Sequence, residues 1–132
     1  MITEDYVSFE TAKLLKEKGF DEEIETLIEP DGSIYFLDEN SISKTRHIKI
    51  KNSDINIYSD SVSCPTIQMA MKWLRNIHGF FILINVIGEA PCWFADIQGI
   101  KGDVSIYLVE KEFPNYEKAC EAAIKYCLEN LI

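Results

Sequence analysis

Lys13-Leu14-Leu15-Lys16-Glu17-Lys18-Gly19-Phe20 and Lys72-Trp73-Leu74-Arg75-Asn76-Ile77-His78-Gly79-Phe80 are two versions of one phrase. Each reads as the last part of an amphipathic helix stopped by Gly-Phe. Glycine takes the left-handed conformation just past a helix end at little cost, and the apolar residue after it folds back on the last turn. The echo continues downstream, with Tyr35-Phe36-Leu37-Asp38 against Trp93-Phe94-Ala95-Asp96. A helix followed by strands, used twice, predicts an α+β fold with an internal duplication, its halves being residues 1–62 and 63–132 of a single domain.

Around the first phrase, Ser8 is the expected cap of a helix over 9–18, and Phe9, Ala12 and Leu15 make its apolar stripe. Strands are predicted at 24–28 and 33–37, across the turn Pro30-Asp31-Gly32-Ser33. A second hairpin is expected from strands at 46–51 and 55–58 about Asn52-Ser53-Asp54, with 59–63 as linker. The second helix opens at Ser63-Cys64-Pro65-Thr66, with the proline in its first turn, and reaches Ile77. Three strands follow, at 80–87, 93–98 and 104–110, spaced as an antiparallel meander. Asn115 caps the last helix, whose stripe is Tyr116, Ala119, Cys120, Ala123, Cys127 and Leu131. The predicted order is α-β-β-β-β-α-β-β-β-α, antiparallel sheet packed against three helices.

Composition bounds the function. Apolar residues make up 47% of 132 and charged residues 27%, the proportions of a soluble globular chain. The longest apolar run, Phe80 to Ile84, is far below the roughly 18 residues that cross a bilayer. The acidic start Met1-Ile2-Thr3-Glu4-Asp5 lacks the pattern of a secretion signal, so a cytoplasmic protein is expected, without membrane association. Cys64, Cys92, Cys120 and Cys127 form no C-x-x-C pair, and with only His47 and His78 beside them no metal site or cofactor is expected. The net charge of −9 is uneven: residues 1–40 carry −9, residues 41–88 carry +4 and residues 89–132 carry −4. Such a chain is repelled by phosphate backbones, which disfavours general nucleic-acid affinity.

Candidate residues fall into three groups. Lys44, Arg46, His47, Lys49 and Lys51 give a basic hairpin edge, with Tyr58 opposite, that fits a nucleic-acid backbone; the same lysines also suit a solvated edge that resists aggregation. Met69, Trp73 and Ile77 lie beside the face of Ile67, Ala70, Met71 and Leu74 on the second helix. A stripe that wide predicts a helix covered on more than one side, either by its own chain or by a partner, and a two-fold homodimer or another protein partner is expected. For chemistry, Cys64 at a helix start lacks a nearby base. Asp38 and Asp96 end strands after large aromatics, where a carboxylate can be half buried for acid–base work, although strand-end aspartates more often satisfy backbone amides in turns. No phosphate loop and no hydrolase or metalloprotease motif is present.

The opening from Ile2 to Glu22, the middle segment Pro65-Thr66 with Met69-Ala70-Met71-Lys72-Trp73-Leu74-Arg75, and the ending Tyr116-Glu117-Lys118-Ala119-Cys120-Glu121-Ala122-Ala123-Ile124 together resemble a group of small bacterial proteins common in prophages and mobile elements of gut Bacteroidetes. The resemblance implies an accessory product of such an element and carries no activity or functional residue with it. A non-enzymatic protein-binding or adaptor role is the expectation, ahead of a nucleic-acid binder and, last, a small enzyme.

Overall fold

The computed structural model describes residues 1–36, 49–55, 59–88, 92–99, 105–107 and 112–132. Asp38, Lys44, Arg46, His47 and Tyr58 lie outside the described residues, as do 46–48 and 56–58 of the hairpin expected at 46–58. The fold is α+β, with three helices and two antiparallel sheets among the described residues. Two compact units divide the chain: Tyr6–Pro65, and Thr66–Ile132 together with Met1–Asp5.

In the first unit, Ser8 accepts a hydrogen bond from the Thr11 amide (3.2 Å) and opens α1, Phe9–Glu17. The helix ends where the sequence says it must. Gly19 has φ 95°, its amide bonds the Lys16 carbonyl (3.1 Å), and the Phe20 amide bonds that of Leu15 (2.8 Å). This doubled closure satisfies carbonyls the helix cannot satisfy itself, and it seats Phe20 against the last turn, both Phe20 and Leu15 being buried. Strand β1, Thr26–Ile28, is central: it pairs with β2, Ile34–Phe36, on one side and with β3, Val62–Ser63, on the other. The segment expected to be a linker therefore holds a strand. It is two residues long, and what defines it is the distant pairing of Val62 and Ser63 with Ile28 and Leu27. Asn52–Asp54 forms a 3₁₀ turn, and Ile50 bridges Ile24.

The second unit opens on the N-cap Thr66, whose hydroxyl accepts from the Met69 amide (3.1 Å), so α2 is Ile67–Trp73. Pro65 thus stands outside the first turn, not within it. From Leu74 to His78 the backbone widens into a π turn, which Gly79 (φ 74°) closes by bonding the Leu74 carbonyl. Phe80 then enters a strand directly. The sheet is a meander in the order β4, Phe80–Ile87, β5, Cys92–Gly99, and β6, Ser105–Tyr107. Asn115 caps α3, Tyr116–Tyr126, which also runs into a π turn, Cys127–Leu131. Helix α3 packs on β4, β5 and α2, around a core of Leu74, Ala95, Ile97, Ala123, Ile124 and Leu128. Asp5 belongs to this unit, its carbonyl accepting from the Ile67 amide (2.8 Å). Among the described residues no helix is long and apolar enough to cross a membrane.

Candidate functional site

Strand β4 reads Phe-Phe-Ile-Leu-Ile-Asn-Val-Ile and carries no charge. A run apolar at nearly every position belongs to a strand covered on both faces, because alternate side chains point to opposite sides. Among the described residues helix covers one face only. The register sets Ile82 opposite Ile97 and Ile84 opposite Ala95, and β5's Ile97 and Ala95 are buried toward α3. On the other face Phe81 lies opposite Gln98, Leu83 opposite Asp96, Asn85 opposite Phe94 and Ile87 opposite Cys92. Phe81, Leu83 and Ile87 are 39%, 45% and 61% exposed. An antiparallel sheet with one free face normally shows water polar side chains there, so this face is the most anomalous surface of the unit.

Asp96 sits in the middle of that face, on the central strand, and is only 6% exposed. Its Oδ2 accepts a long hydrogen bond from Gln98 Nε2 (3.3 Å), and its Oδ1 has no partner among the described residues. Buried carboxylate oxygens are ordinarily satisfied, since burial strips off the water that would otherwise solvate them. Asp96 lies within β5 and not at a strand end, so the turn role expected of a strand-end aspartate does not apply to it.

The other expected residues are dispersed. Of the proposed contact set on the second helix, Met69 and Ile77 are exposed, but Trp73 is buried in its own chain, its ring edge-on to His78 at 4.7 Å. The π turn brings His78 back over Trp73, which is why the apolar stripe looks wider in sequence than it is on the surface. Burial there lowers the His78 pKa and favours the neutral imidazole. Lys49 and Lys51 are exposed, and the Lys51 amide bonds the Asp54 carboxylate (3.1 Å). Cys64 is buried, with its thiol donating to the Val7 carbonyl (3.4 Å), and it precedes the Thr66 cap by two residues. Burial pushes the Cys120 and Cys127 thiols up to about 11 and about 12, so neither is a nucleophile near neutral pH. Among the described residues no His, Cys, Asp and Glu cluster could hold a metal ion.

The first unit has an open cleft of about 540 Å³ lined by Phe9, Lys13, Lys16, Glu17, Pro30, Ser59, Asp60 and Val62. Its two lysines face two carboxylates, so it favours neither sign of ligand. A residue that sequence reading missed is Asn52. It is buried, donating to the Phe20 carbonyl (2.8 Å) and accepting from the Ser63 amide (3.0 Å). Those partners lie 32 and 11 residues away, and no local signal announces such bonds.

Comparison of the chain with the models of known protein families, with curated proteins and with solved structures finds no match.

Proposed function

We propose that this chain is a non-enzymatic protein-binding or adaptor protein whose docking surface is the outer face of β4 and β5. One observation carries the reading: a charge-free eight-residue strand turns Phe81, Leu83 and Ile87 to solvent. Apolar patches of this kind on a folded domain mark interaction surfaces. A net charge of −9 supports a basic partner, since opposite fields speed encounter and select against like-charged competitors. The four cysteines are unpaired, which fits a reducing cytoplasm. The resemblance of both chain ends to proteins of prophages and mobile elements supports an accessory role in which the partner is a host or phage protein.

The test is capture from nuclease-treated cell extract by the wild-type chain, by Leu83→Glu and by Lys49→Glu/Lys51→Glu. The expected outcome is a partner retained by wild type and by the lysine variant but reduced about tenfold or more by Leu83→Glu, the loss typical of a central apolar contact. Because Leu83→Glu sets a second carboxylate directly across from buried Asp96, the neutral Leu83→Gln is captured beside it and should melt within a few degrees of wild type, the Leu83 side chain being already half in water. Equal capture by Leu83→Glu moves the surface elsewhere. Capture abolished by nuclease or by the lysine changes makes the chain a nucleic-acid binder instead.

A further inference from the structure

Asp96 says more about the occupant than the apolar patch does. It lies on the central strand, in register with Leu83 on one side and with position 107 on the other, and a single long bond from Gln98 reaches one of its oxygens. An apolar residue would fill this position without the cost of burying a charge, so the carboxylate is a liability to the free chain. It becomes an asset when something arriving from outside supplies the missing donor.

The second observation is the edge of β4. Among the described residues β4 bonds only to β5, which leaves a row of backbone amides and carbonyls along its other side. Natural edge strands are guarded by lysine, proline, bulges or shortness; β4 has eight residues and neither lysine nor proline. An extended segment added there continues the ladder, and its alternate side chains lie over the face of Phe81, Leu83 and Ile87. Its backbone stands two strand spacings, on the order of 10 Å, from that of β5. Arginine and lysine are the side chains that reach farthest with a charged donor at the tip, the partner a carboxylate prefers, and their methylene stems can rest on Leu83.

We infer that the outer face receives an extended segment of another protein, added to β4, that alternates apolar residues with one arginine or lysine whose cation satisfies Asp96. This rests on the reading of the outer face as the docking surface. The free chain then carries the cost of Asp96, and binding relieves it.

The experiment is selection of a displayed random twelve-residue peptide library on the immobilised full chain. Titration of the winning synthetic peptides follows, against wild type, Asp96→Asn and Leu83→Glu. Expected winners share one basic residue among alternating apolar ones. Asp96→Asn, close to isosteric, should weaken them roughly 10–100-fold, the range of a charge-assisted hydrogen bond. Replacing the peptide's basic residue by norleucine should cost as much, and the two changes together little more. The unbound Asp96→Asn chain should also melt higher than wild type. Winners without a basic residue, or indifferent to Asp96→Asn, overturn the cation while Leu83→Glu sensitivity preserves the surface. No winners, or winners indifferent to Leu83→Glu, overturn both. Sedimentation showing a dimer that Leu83→Glu dissociates puts a second copy of the chain on the edge and overturns the peptide.

Discussion

The two units stop a helix in the same way and then do opposite things with the strands that follow. In the first, Gly19 turns the chain back on itself, Phe20 is swallowed by the last turn, and three strands of two or three residues close around a buried β1. In the second, Gly79 closes a π turn, Phe80 leaves straight into an eight-residue strand, and a sheet results with α3 packed on it and Phe81, Leu83 and Ile87 exposed on the other face. Short strands held by distant polar bonds make a scaffold; a long apolar strand with an open edge makes a surface. A similar phrase can thus end helices that lead into quite different strands.

The sharpest way to break that contrast is at Asn52. If the first unit is held by polar ties, Asn52→Ala removes two buried hydrogen bonds to backbone and should cost about 3 kcal/mol in urea unfolding. A loss below about 1 kcal/mol, the level of an ordinary surface change, means that apolar contacts of Phe20, Ile24 and Leu27 hold the unit without it.

How much of this was legible in the sequence follows from the range of each signal. Caps and stops are local, and Ser8, Gly19, Gly79 and Asn115 were all readable within four residues of their helix ends. Strand β4 was readable because an unbroken apolar run has few other uses. At Trp73 the sequence left cover by its own chain or by a partner open, and the structure buries the ring within the chain, beside His78 of a π turn that no propensity announces. Strand β3 and Asn52 were invisible for a related reason: each is defined by partners far along the chain. At Asp96 the aromatics before it left burial open beside a turn role, and nothing local announced the unanswered oxygen.

A smaller effect measures whether the two stops are equivalent. A Cβ at Gly19 would meet nothing within 4 Å, so Gly19→Ala is penalised by its left-handed backbone alone, about 1 kcal/mol. Gly79→Ala should cost the same if its φ of 74° is held as firmly. Thermal or urea unfolding of both variants decides the matter. A Gly79→Ala variant that loses nothing means the π turn rewinds to relieve the strain, and the resemblance of the two phrases would then end at sequence.

The smallest effect is a pH dependence confined to the second unit. His78 has its Nε2 buried without a partner among the described residues and its ring against Trp73, and burial lowers its pKa below the ordinary 6.5. The unfolded chain therefore takes up a proton more readily than the folded one. Stability is fully present above about pH 6.5 and falls as pH drops below it, until the folded-state value is passed. The helix end would by itself favour the imidazolium, so the direction measures how far burial beneath the π turn outweighs the dipole. Urea midpoints between pH 7.5 and about 5, a range above most carboxylate titration, should decline in wild type and flatten in His78→Gln. A wild-type midpoint that rises on acidification would mean that His78 gains a proton in the folded state. The π turn would then be a charged helix end and not a cover for Trp73.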